Sequence, residues 1–309
     1  MVDLSILGAA LLAVLLACGI AVGIRRSTGA AGATGSEAER LGTTALRGAR
    51  RRAVVAVGAA AAVLFVMVTL GVSIAPLLGV PVLLAAPVSA IVGLLLYSST
   101  RPARHVVAPT EVRSASLVPR KVTSYLSGRL SLPPLAAFGV VVVFVLVAGL
   151  TATTDDLGLS RAIAFSSPDS TSAASPYAGW FYGLPLLGAC AALVAVTILT
   201  MRRISAVPAF PDPALASLDA AWRRESMRVV STITVFALAL PFGGAAAMSG
   251  RALLSAVLPS SNPAWTALGF TFVITGLASL ILSGVYFLLA TRHALALPAA
   301  SVRAAEQSQ

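Results

Sequence analysis

Chemistry needs titratable, nucleophilic or metal-binding side chains within reach of one another, and this 309-residue chain offers few: two histidines, two cysteines and 11 carboxylates. His105 and His293 stand far apart in sequence, each in a polar connection between apolar runs. A metal held by both histidines and a carboxylate is the chemistry open to them, but their surroundings predict two solvated side chains. Cys18 and Cys190 each lie inside an apolar run, which predicts small buried side chains and neither a disulfide framework nor a metal site. Leu15-Leu16-Ala17-Cys18-Gly19 resembles a lipid-attachment site superficially. Only Met1, Val2 and Asp3 precede its apolar core, where a secretory signal carries basic residues, so an uncleaved first membrane helix is expected. There is no phosphate-cradling glycine loop, no HExxH, and no nucleophile paired with a histidine at membrane depth. Neither catalytic residue, metal site nor cofactor is predicted.

Two features could carry a site. Pro241, Gly243 and Gly244 interrupt an apolar run. Proline has no amide for the carbonyl of Ala237 and the glycines lower the cost of unwinding, so a kink or break is expected there. Carbonyls freed in this way can bind a ligand if they line a cavity, and a structural kink is the alternative. The second feature is Asp155-Asp156, able to attract a cation or simply to end a helix in water. The aromatic cluster Tyr177, Trp180, Phe181 and Tyr182 reads as an interface belt.

The elements that position these residues are apolar. The chain is 58% hydrophobic and 11% charged, far from the quarter or so of charged residues usual in soluble domains. Seven stretches approach the roughly 20 apolar residues that cross a hydrocarbon layer: 4–24, 53–74, 77–97, 133–152, 180–201, 229–250 and 264–290. The fold class expected is all-α, a polytopic membrane helix bundle forming one domain. The second and third spans, separated only by residues 73–76, should form an antiparallel hairpin.

Of the 22 basic residues, 20 fall in 25–52, 99–132, 202–228 and the tail from 291, and the other two are Arg161 and Arg251. By the positive-inside rule this puts the N-terminus outside and the C-terminus in the cytoplasm, and expects the membrane to be a bacterial inner membrane. The net charge of +11 thus has a topological explanation, and nucleic acid is not expected as a partner. Lys121 is the single lysine, which with the alanine excess reads as GC-rich coding bias.

The connections differ in kind. Residues 25–52 read as a flexible basic linker ending in Arg50-Arg51-Arg52, able to touch lipid headgroups. Residues 102–132 could hold a short amphipathic helix after Pro119. The one sizeable outside loop, 153–179, with its centre FSSPDSTSAASP, shows nothing that looks like a folded domain.

Asp212-Pro213 is a helix-start signal. From there Leu215, Leu218, Trp222 and Val229 recur on one face, predicting an amphipathic cytoplasmic helix over 213–228 that leads into the sixth span. Leu215, Leu218, Trp222, Arg223 and Arg224 are the residues expected to dock a cytoplasmic protein partner, with Arg223 and Arg224 at headgroup level. In the last span Gly269, Gly276 and Ser283 repeat every seven residues, with Ser279 and Gly284 nearby. Such a stripe suits close helix packing and offers a surface for a homo-oligomer. Three readings of function follow: a non-catalytic membrane subunit or accessory protein of an envelope or transport complex; a small-molecule or lipid permease using the Pro241–Gly244 break; and an intramembrane enzyme.

Overall fold

The computed structural model describes residues 37–74, 77–99, 128–207, 216–258 and 262–296. The apolar stretch 4–24, linker residues 25–36, the connection 100–127 with His105, the Asp212-Pro213 helix start and the tail from 297 lie outside the described residues. The described chain forms six long helices: α1 Glu37–Ser73, α2 Val80–Ser99, α3 Gly128–Thr151, α4 Trp180–Ala206, α5 Ala216–Ala256 and α6 Pro263–Ala296. All six are long and apolar enough to cross a membrane. The fold is a helical bundle of the integral-membrane kind.

α1 begins sixteen residues before the expected span, at Glu37 rather than residue 53. Residues 37–52, expected to be flexible linker, are its first turns. Alanine, leucine, glutamate and arginine dominate there and favour helix strongly enough to absorb Gly42, Thr43, Thr44 and Gly48. α1 packs against α2 across a short turn in which Leu78 and Gly79 both take positive φ. The two helices close up where a Cβ on Gly71 would lie 2.5 Å from the Val82 side chain.

α5 is the central element. It is 41 residues long and stays helical through Pro241, Gly243 and Gly244, so of the expected kink or break the break is absent. Serines of α6 bond its backbone on either side of the carbonyl that proline leaves without its amide. Ser279 donates to the carbonyl of Ala239 at 3.0 Å and Ser283 to that of Phe236 at 3.4 Å. Gly243 holds the two helices together: a Cβ there would lie 2.8 Å from Leu280 and 2.9 Å from the Gly276 carbonyl. Gly250 and Gly269 repeat the arrangement one heptad away, with only 2.6 Å between a Cβ on Gly250 and the Gly269 carbonyl. Contact this close keeps dispersion attraction in a lipid-like interior, where apolar side chains gain little from leaving lipid.

On its other sides α5 packs against α2, α3 and α4. Val141, Val145, Leu186, Leu193, Val230, Leu238 and Leu253 are fully buried between these helices. Phe144 of α3 meets Phe242 and Phe272 edge-to-face, each at 5.3 Å.

The connection 153–179, expected only as an outside loop, carries a small sheet. β1 Thr153–Thr154, β2 Ser160–Ser167 and β3 Ser170–Ala174 form an antiparallel meander in the order β1-β2-β3. Asp155 builds its first turn, accepting from the amides of Leu157 and Leu159, both at 2.9 Å, with Gly158 at positive φ. Pro168-Asp169 makes the second, closing the Ser167–Ser170 pair. Ladder bonds make this element, so a Ser- and Thr-rich composition concealed it.

Candidate functional site

The densest collection of charged side chains lies where α2, α4 and α6 end and α5 begins, here called the basic end. Arg223 is its hub and is fully buried. Its Nε and Nη2 donate to both carboxylate oxygens of Asp219, one turn earlier, at 2.8 and 3.0 Å. Nη1 donates to the carbonyls of Ile204 and Ser205 at 2.7 and 3.1 Å, and Nη2 also to that of Val207 at 2.8 Å. A guanidinium has five N–H donors, and these bonds engage all five. The acceptors belong to the last turn of α4 and its cap, carbonyls that a helix end leaves without amides. Arg223 thus caps α4 from α5 while Asp219 balances its charge.

A second unit lies alongside. Glu225 is mostly buried, accepting from Arg228 Nη1 at 3.0 Å through Oε2 and meeting His293 Nδ1 of α6 at 2.5 Å through Oε1. The Tyr97 hydroxyl of α2 reaches Ser226 Oγ at 3.5 Å, and Arg203 of α4 reaches the carbonyl and hydroxyl of Ser98, each at 3.4 Å. Four helices are therefore tied at one end by charge. Deeper in, Thr197 of α4 and Thr234 of α5 share a hydroxyl pair at 2.8 Å.

The opposite, meander end uses neutral groups. Ser249 of α5 accepts the Ala178 amide at 2.8 Å, and Tyr177, fully buried, pairs its hydroxyl with Thr151 at 2.6 Å. Tyr182 donates to the Leu78 carbonyl at 2.8 Å, and Phe165 of β2 meets Trp265 of α6 at 5.4 Å. Among the described residues, one ion pair at this end joins Asp155 to Arg161 within the meander. Burial works to raise the Asp155 pKa, but the Leu159 amide, the Arg161 guanidinium and the Leu157 amide outweigh it, and the net shift is downward. Burial likewise works to lower the Arg161 pKa, and Tyr182 and Asp155 turn the net shift upward. The Tyr177 phenol is pushed up by burial, against a smaller opposing effect of its Thr151 bond.

Of the expected docking residues, Leu215 lies outside the described residues and Leu218 falls in α5 with its side chain undescribed. Trp222 is half-buried against the core, and Arg223, expected at headgroup level, is interior. Only Arg224 faces outward. The amphipathic segment is thus the first turns of a long core helix, with its Trp222 and Arg223 turned inward.

Pro241, Gly243 and Gly244 sit in unbroken helix, and Gly243 faces α6. The Gly269, Gly276 and Ser283 stripe offered to a second copy is occupied by α5 of the same chain, whereas Gly284 lies open. Asp155 is bound within the meander and Asp156 is exposed. His293 was expected in water but contacts Glu225. The cues were present in the spacing: Asp219 and Arg223 stand four apart and Glu225 and Arg228 three apart, as helical ion pairs do.

Among the described residues no group of three or more His, Cys, Asp or Glu side chains is placed to hold a metal. No family model matches the chain, and no curated protein or solved structure matches it. The class the coordinates define is a multi-pass helical membrane protein with charge concentrated at one end.

Proposed function

We propose that this protein is a non-catalytic membrane subunit or accessory component of an envelope or transport complex. It threads a bacterial inner membrane seven times, with the N-terminus outside and the C-terminus in the cytoplasm. The observation that carries the reading is the use made of polar groups inside the bundle. Arg223, Asp219, Glu225 and His293 tie helices to one another, Thr197 pairs with Thr234, and Ser279 and Ser283 bond the α5 backbone. Buried charges in a membrane protein point to function by default, and here Arg223 and Glu225, besides their partners on α5, each reach a neighbouring helix, as in a framework.

The permease alternative drew on a break at Pro241–Gly244, and continuous helix removes that support. For orientation, Arg202, Arg203, Arg224, Arg228 and Arg292 gather at one end and Asp155 and Asp169 at the other, which favours placing the basic end in the cytoplasm. The cytoplasmic partner would meet the outward Arg224 side of α5 and the segment leading into it.

Purification in mild detergent tests the accessory role. A stoichiometric soluble partner should co-purify and be lost from Leu218→Ala/Arg224→Glu while the membrane yield stays unchanged. A chain that purifies alone, or a variant that keeps its partner, defeats the reading. Labelling of single cysteines placed at Ser170 and Arg224 tests the threading, and both reacting from one side of the membrane would reverse it.

A further inference from the structure

Two exposed arginines at the basic end stand in a setting that matches one kind of molecule. Arg202 and Arg203 project from the last turns of α4. Four residues before them, on the same helix face, are the exposed apolar side chains Ile198 and Leu199. On α2 the exposed Leu95 stands three residues before Ser98, and the exposed Leu96 follows it. Arg203 spans the two helix ends, its Nη1 3.4 Å from both the carbonyl and the hydroxyl of Ser98, leaving its Nε and Nη2 donors for another acceptor. The rim is therefore apolar below, cationic above and braced across two helices.

The carboxylates near this rim are already engaged. Among residues whose side chains are described, Asp219 is held by Arg223, and Glu225 by Arg228 and His293. Among the described residues no carboxylate pairs with Arg202 or Arg203, so their positive charge suits an added anion, at the depth where an acyl chain gives way to a headgroup. A soluble anion would satisfy the arginines but not the leucines and isoleucine beneath them.

We propose that the α2–α4 rim binds an anionic phospholipid, its phosphate on Arg202 and Arg203 and its acyl chains along Leu95, Leu96, Ile198 and Leu199. Arginine suits this role because its planar fork can donate two parallel bonds to a phosphate.

The test uses the full chain in nanodiscs of phosphatidylcholine containing phosphatidylglycerol, with retained lipids counted by native mass spectrometry. Phosphatidylglycerol should be retained in preference to phosphatidylcholine. Arg202→Gln/Arg203→Gln should reduce that preference by roughly tenfold or more, the order expected for two arginines near an anionic surface. Arg202→Lys/Arg203→Lys should keep most of it, and Arg251→Gln at the meander end all of it. Should the paired glutamine variant not fold, Arg202→Gln alone serves the same comparison. Equal retention of both lipids by the native chain, or an unchanged preference in the glutamine variants, overturns the proposal. So does displacement of the lipid by millimolar inorganic phosphate, which marks a free-anion site, or by equimolar polyglutamate, which marks a site for an acidic protein.

Discussion

At the basic end, one buried arginine reaches three carbonyls of a neighbouring helix and a carboxylate of its own, and a glutamate joins α5 to α6. At the meander end, the joints are a serine accepting one amide, a tyrosine–threonine pair and two rings meeting edge-to-face. The difference follows from what each end must fasten. α4 stops and α5 starts at the basic end, leaving helix-terminal carbonyls that a multi-donor cation can gather. At the other end the strands satisfy their own backbone, so single neutral bonds suffice. Charge chemistry is strong when complete and costly when incomplete, whereas the neutral joints fail by smaller steps.

Arg223→Ala should therefore give the largest effect. It leaves Asp219 buried without its partner and the α4 cap open, a loss of about 3–5 kcal/mol. Denaturation in detergent micelles should show it, with Arg223→Lys recovering only part because an ammonium has three donors for five positions. Arg228→Ala, removing an exposed partner of Glu225, should cost under about 1 kcal/mol. Equal losses at Arg223 and Arg228 would erase the distinction between a buried hub and a rim charge.

Between the two ends the joint is steric. A Cβ on Gly276 would lie 2.5 Å from the Ala247 backbone nitrogen, so Gly276→Ala forces α5 and α6 apart. Overpacking of this kind costs about 1–3 kcal/mol. Gly284→Ala, with nothing within 4 Å, should leave the melting temperature unchanged or slightly raised. The pair measures how far small residues hold the hairpin compared with the charges beside it.

These elements were not equally legible in the sequence. Apolar length announced the spans, because about 20 apolar residues have few other uses. The central place of α5 shows only in the packing: most of its crossing stretch is buried, whereas little of α1's is. What misled was local context read one residue at a time. Proline and glycines in α5 suggested a kink or break, but the helix continues through them and Gly243 serves the contact with α6. Arg223 and Arg224 looked alike as adjacent arginines, yet they point some 100° apart on a helix, one to the core and one outward. Serines and threonines in 153–179 suggested a loop and gave no sign of the sheet, because ladder bonds leave no mark on composition. The Glu225–His293 contact joins residues on two helices, and no spacing within either helix could predict it.

The neutral joints give the smaller effects. Ser249→Ala removes the acceptor of the buried Ala178 amide and should cost about 1–3 kcal/mol, below the loss at Arg223. The ion pair of the meander adds a pH dependence. The Asp155 pKa is lowered on folding, so its contribution is present above the unfolded value near 3.8 and lost as pH falls through the lower folded value. Emission from Trp265 in a chain lacking Trp180 and Trp222 should thus be constant from neutral pH to about 4 and change below it. Asp155→Asn should flatten that profile, and an unaltered acid transition would assign it to other carboxylates.

The smallest effect expected is a gain. Thr153 Oγ1 is the buried side-chain polar atom without a hydrogen-bond partner among the described residues, at the join of α3 and β1. A hydroxyl taken from water without compensation is a standing cost, and valine has nearly the same shape without it. Thr153→Val should leave stability unchanged or raise it by up to about 1 kcal/mol, read as a small rise in melting temperature. Thr151→Val, two residues earlier, removes a hydroxyl that pairs with Tyr177 and should lower it. Opposite signs from two like substitutions in one short segment would show that the meander end depends on individual pairings. A loss at both positions would mean that Thr153 has a partner in the membrane-bound protein, and would bring this end closer in kind to the hub around Arg223.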